Sequence, residues 1–175
     1  KSALEFERRS WTYEQLEASS TVLARLLVQR GVAKGDRLAL VSVNTDVSVI
    51  LFLAAAKAGA IFTPLNPAAT SEDLEYMLRH SRASLVVAQQ EDLERTRAIV
   101  ARIDVATDVL ALNDLGVGEP DSAAIQRRIA QAARDARDLP LPAIVADDPA
   151  IVIYTSGTTG FPKGVVHSQR NYVLA

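Results

Sequence analysis

The 175-residue chain contains no cysteine, which excludes a disulfide framework, a cysteine metal site and a thiol nucleophile. That absence agrees with a cytoplasmic protein. It carries little excess charge of either sign. A formal net charge of -2 gives no basis for attraction to nucleic acid or to an anionic membrane surface. Long hydrophobic runs are missing as well. The longest largely apolar stretch, Val47 to Ala56, is flanked by Asp46 and Lys57 and falls well short of the roughly 20 residues that span a bilayer. Nothing at Lys1 resembles a signal peptide. No internal repeat, low-complexity tract or His/Asp/Glu cluster with metal-ligand spacing occurs.

What is present fits one domain that can bury a sizeable core. A hydrophobic fraction of 49% against 23% charged residues is the balance of an ordinary globular protein. The chain is organised around Ile151 to Gly164, IVIYTSGTTGFPKG. Ile151 to Tyr154 reads as a buried strand. Thr155, Ser156, Thr158 and Thr159 then alternate with Gly157 and Gly160, and Lys163 lies between Pro162 and Gly164. Glycines let backbone N–H groups converge on an anion, hydroxyls donate further hydrogen bonds, and the lysine adds a positive charge. A flexible surface loop between two strands is the plainer alternative.

The better-known phosphate loops do not fit. A Walker A loop needs glycine before its lysine and Ser or Thr after it, where Pro162 and Gly164 stand. Gly116 and Gly118 are followed by Glu119, Pro120 and Asp121, so there is no GxGxxG. A Gly-x-Ser-x-Gly nucleophile elbow is also lacking.

YTSGTTGFPKG, Tyr154 to Gly164, resembles the phosphate-binding core motif of the adenylate-forming superfamily, which includes acyl-CoA synthetases and the adenylation domains of peptide synthetases. The likeness extends through RSWTYEQLEASSTVLARLLVQRGVAKGDRLALV, FLAAAKAGAIFTPLNPAATSEDLEYMLRHS and DDPAIVIYTSGTTG. It implies that residues 1–175 are the N-terminal portion of an AMP-binding adenylation domain, with the phosphate loop at 154–164. PLNP at Pro64 to Pro67, followed by SEDLEYML, is more similar to acyl-CoA synthetases than to peptide synthetases.

The element pattern points to an α/β fold, a layered and mostly parallel sheet with flanking helices. Phe6 to Trp11 reads as an irregular or short extended entry. Thr12 and Gln15 open a helix as a capping box that Gly31 can end. Lys34, Gly35 and Asp36 turn into a strand over 37–43. Asp46 caps a helix over 47–58 that Gly59 ends, and Ala60 to Pro64 is a strand. Thr70 and Asp73 start a helix to about His80, and Leu85 to Ala88 is a third strand. Helices follow at 91–102 and 121–137, with a strand near 109–112 between them. The proline-bearing segment 139–149 connects to the loop strand. Val165 and Val166 form a short strand, and 171–175 begins a helix.

The resemblance implies a ligase that joins a carboxylic acid to the α-phosphate of ATP, releases pyrophosphate, and passes the acyl group to CoA. Ser156, Gly157, Thr158, Thr159, Gly160 and Lys163 would hold the triphosphate, with Lys163 catalytic. Thr155 would orient Mg²⁺, or it is a strand-end hydroxyl bonded to nearby backbone. Segments that bind adenine, ribose, the acyl group and CoA lie beyond the phosphate loop in that family, so the piece alone is expected to be inactive. Two other readings stay open. One is an adenylation domain of a peptide or polyketide synthetase that loads a carrier protein. The other is a non-catalytic module that binds nucleotide or a partner.

Simpler roles are expected elsewhere. Tyr154 reads as core, His167 as a cap or packing residue, and His80 as a partner of helix-end carbonyls. Glu91, Asp92 and Glu94 with Arg95 and Arg97 read as a solvated helix face, as do Arg127, Arg128, Arg134 and Asp135.

Overall fold

The computed structural model describes residues 1–104, 107–115, 139–155 and 160–173. The entry segment is more regular than expected. β1 (Ser2–Phe6) and β2 (Arg9–Thr12) form an antiparallel hairpin around Glu7 and Arg8. Glu7 takes a left-handed φ of 53°. The turn carries neither glycine nor asparagine, so its sequence holds no hairpin signal.

α1 (Tyr13–Gln29) starts at the capping box. The Gln15 N–H donates to Thr12 Oγ1 at 3.2 Å and the Thr12 N–H donates to Gln15 Oε1 at 2.8 Å. Thus two helix-end donors are satisfied at once. Next come β3 (Arg37–Val41), α2 (Asp46–Ala58), β4 (Ile61–Leu65), α3 (Ser71–Ser81), β5 (Leu85–Ala88), α4 (Leu93–Val100) and β6 (Asp108–Ala111). β7 (Pro149–Thr155), β8 (Lys163–Ser168) and α5 (Gln169–Val173) complete the described chain.

Strands order as β6-β5-β3-β4-β7-β8, with β8 antiparallel and the others parallel. β3 is buried on both faces, which explains its unbroken apolar character. Leu38 and Leu40 pack with Leu23, Leu27, Ile50 and Leu51 of α1 and α2. Ala39 and Val41 pack with Leu74 and Leu78 of α3 and Ile99 of α4. Burial of each such leucine contributes roughly 1.5–3 kcal/mol. The layered α/β architecture expected from the sequence is therefore the observed one.

Several local expectations need correction. The cap of α2 is Thr45, whose Oγ1 accepts from the Ser48 N–H, while Asp46 is the first helical residue and fully buried. Arg9 and Trp11 hold it there, as described below. The helix expected over 91–102 is shortened to α4, because Asp92 is held in a 3-10 turn at Gln90–Asp92. Its N–H donates to the Gln89 carbonyl and its carboxylate accepts from Gln89 Nε2. Arg95 is no solvated face residue. It donates to the carbonyls of Pro67, at 2.8 Å, and of Ala69, fastening the loop after β4.

The expected strand at 151–154 exists within β7, but only its start is buried. Ala150 and Ile151 are covered, whereas Ile153 is 38% exposed. The helix expected at 121–137, with Arg127, Arg128, Arg134 and Asp135, lies outside the described residues. Among the described residues, no helix is long and apolar enough to cross a membrane.

Candidate phosphate-binding site

Since β3, β4, β5, β6 and β7 run parallel, their carboxyl ends open on one edge of the sheet. Ligands of open α/β sheets bind at that edge. Thr155 ends β7 there, exposed. β8 returns antiparallel, and its first residue, Lys163, pairs with Thr155. The lysine expected within the loop is thus a strand residue opposite the expected metal-orienting threonine. Cα atoms paired across an antiparallel ladder lie about 4.5–5.5 Å apart, which sets an exposed threonine directly opposite an exposed lysine. Gly160 is exposed two residues before Pro162. Ser156, Gly157, Thr158 and Thr159 lie outside the described residues.

Gly164 has a packing reason that the sequence reading missed. A Cβ there would meet Val152 Cγ1 at 2.9 Å and the Tyr154 ring at 3.4 Å. Only glycine lets β8 approach β7 at this rung, directly after Lys163.

Tyr154 is half-buried against the α3–α4 side of the core, as expected for a packing residue. Its hydroxyl donates to the Met77 carbonyl at 3.3 Å and lies 2.8 Å from His80 Nδ1. Burial, reinforced by the neighbouring Tyr76, pushes the phenol up to about 12. His80 therefore departs from expectation: it turns from the helix-end carbonyls toward this phenol. Tyr76, one turn earlier, stacks on His80 with centroids 5.5 Å apart and on Phe161 with centroids 4.5 Å apart. A shallow cavity of about 380 Å³ opens beside that stack, with Glu72, Glu75, Arg79 and Arg102 on its walls. His167 pairs with Ile151 in β8 and is half-buried, in keeping with a packing role.

Among the described residues no group of three or more His, Asp or Glu side chains could hold a metal ion. Thr155 offers a single oxygen. Mg²⁺ often takes most of its ligands from substrate phosphates and water, so one hydroxyl beside the candidate loop would fit such a contribution.

The model of the AMP-binding enzyme family matches residues 1–175. The chain belongs to that family. Proteins similar to it include both peptide synthetases and a fatty-acid–CoA ligase. The chain is 34% identical over 157 residues to the probable non-canonical nonribosomal peptide synthetase CymA of Salinispora arenicola, covering 90% of this chain and 2% of that protein. It is 33% identical over 163 residues to the long-chain-fatty-acid–CoA ligase FadD13 of Mycobacterium tuberculosis, covering 91% of this chain and 30% of that protein. The fold superposes on the anthranilate CoA ligase AuaEII in complex with anthranoyl-AMP with a TM-score of 0.81 at 26% identity. That match covers 99% of this chain and 33% of the other. The chain thus spans a third or less of each of these proteins.

Proposed function

We propose that this chain is the N-terminal, phosphate-loop portion of an ATP-dependent, AMP-forming carboxylate–CoA ligase. The pairing of Thr155 with Lys163 at the carboxyl edge of the sheet carries this reading. Negative charge grows on the departing pyrophosphate during adenylation. Preorganised donors aimed at that charge lower the barrier mainly by electrostatics. Lys163 supplies the cation, held by the β-ladder at its own backbone. Ser156, Gly157, Thr158, Thr159 and Gly160 supply N–H and hydroxyl donors around the β- and γ-phosphates. Thr155 would offer one oxygen to Mg²⁺, which when bound would screen the phosphate charge. The acyl acceptor, CoA, is bound by segments outside residues 1–175, and this piece alone does not turn over.

The PLNP and SEDLEYML segments favour CoA as acceptor. Similarity to CymA supports a second reading, adenylation followed by loading of a carrier protein. The intact protein distinguishes them. Carboxylate-dependent exchange of pyrophosphate into ATP tests adenylation under either reading. Thioester formation with free CoA supports the ligase, while transfer only to a phosphopantetheinyl carrier supports the alternative. No exchange with any carboxylic or amino acid would reject both and leave a non-catalytic binding module.

A further inference from the structure

Both shoulders of the candidate loop are fastened to one helix. Before the loop, Tyr154 is next to Thr155 and bonds to α3 through Met77 and His80. After it, Phe161 comes two residues before Lys163 and stacks on Tyr76 of α3, with rings 16° from parallel. Tyr76 and His80 are four residues apart, one helical turn, so their rings stack on each other. His80 also meets Tyr154 edge-on, with centroids 5.8 Å apart. Four rings in series, Phe161, Tyr76, His80 and Tyr154, therefore link the loop's exit to its entry.

The Tyr154 hydroxyl lies within hydrogen-bond reach of both the Met77 carbonyl, at 3.3 Å, and His80 Nδ1, at 2.8 Å, so one side chain ties β7 to two residues of α3. Phe161 is 59% exposed, and its stack on Tyr76 covers part of a ring that would otherwise face water. Its one stacking partner among the described residues is Tyr76.

We propose that Tyr76 and His80 are positioning residues that set the spacing of Thr155 and Lys163 through Tyr154 and Phe161. They touch neither nucleotide nor acid. This rests on the phosphate-loop reading given above. The brace would tighten binding of a ligand that uses the loop, ATP, without affecting one that lacks the β- and γ-phosphates, AMP.

The test uses the intact protein with Tyr76→Leu, Tyr76→Phe and the surface variant Phe161→Ser. Calorimetry with ATP plus Mg²⁺ and with AMP gives two dissociation constants for each. Loss of the Tyr76–Phe161 stack is expected to weaken ATP binding by about tenfold in Phe161→Ser, and by at least as much in Tyr76→Leu, which also loses the stack on His80. AMP binding is expected to hold, and Tyr76→Phe to restore ATP affinity, because stacking needs the ring and not the hydroxyl. Equal weakening of ATP and AMP would indicate general damage and overturn the proposal, as would unchanged ATP binding. Amide exchange over Ile151 to Thr155 and Phe161 to Val165, measured without nucleotide, should quicken in both disruptive variants. Unchanged exchange would overturn the brace while leaving the phosphate reading intact. Faster exchange with ATP binding that is also insensitive to Lys163→Ala would reject the phosphate reading instead, and with it the positioning role.

Discussion

The Arg9 guanidinium closes on the Asp46 carboxylate at 2.6 Å, joining the entry hairpin to the first turn of α2. Trp11 Nε1 donates to the other carboxylate oxygen at 2.9 Å, and the Val47 N–H donates to Oδ1 at 3.0 Å. Asp46 is fully buried, while Arg9 keeps partial contact with solvent. The carboxylate is thus satisfied by three donors and one positive charge, at a helix N-terminus that favours it.

Asp46→Ala should therefore be severely destabilising. It leaves the Arg9 charge and the Trp11 N–H without a partner near the core, a loss of about 3–5 kcal/mol. Urea unfolding of the variant checks this. A shift of less than 1 kcal/mol would mean that the hairpin relaxes into water freely.

Tyr154 should ionise well above the ordinary tyrosine range. Its phenol is pushed up to about 12, first by burial and then by Tyr76, against an ordinary value of about 10. The raised value makes the neutral form a contributor to stability. That contribution is complete below about pH 10 and is lost as pH rises towards about 12. Phenolate absorbance of the wild type minus that of Tyr154→Phe isolates the group. A difference curve centred near 10 would contradict the packing described for it.

Gly59 ends α2 with φ 72°, and a Cβ there would meet Lys34 Cγ at 2.9 Å and Ile144 Cδ1 at 3.0 Å. Lys34 cannot swing away without cost, because its ammonium holds Asp148 at 2.6 Å and the Ala143 carbonyl at 2.9 Å. Gly59→Ala should lose about 1–2 kcal/mol from backbone strain and more from this collision. Gly35→Ala is the control. Its φ of 90° is also left-handed, but open space surrounds it. Equal unfolding midpoints for the two variants would contradict the collision.

The fold was largely legible because its signals are local. The caps at Thr12 and Thr70, the stop at Gly59 and the buried strands at 38–41 and 85–88 follow from residues adjacent in sequence. What escaped depends on partners distant in the chain. Asp46 reads as a cap until Arg9 and Trp11 reach it, and Arg95 reads as a surface charge until the loop after β4 lies beneath it. In the candidate site, the motif identified Thr155 and Lys163 as residue types but not as ladder partners. Neither the Tyr76–Phe161 stack nor the contact of Gly164 with Val152 has a sequence signature, since each pairs segments that only the sheet brings together.

Lys163 provides the most direct test. It is exposed, at the start of a strand, and no carboxylate pairs with it among the described residues. Lys163→Ala should therefore keep the fold, with an unchanged unfolding midpoint. In the intact protein, carboxylate-dependent pyrophosphate exchange should fall by about 10²–10³, the loss expected for one donor to developing charge. Exchange at the wild-type rate in a folded Lys163→Ala protein would contradict the assignment of this loop to the triphosphate.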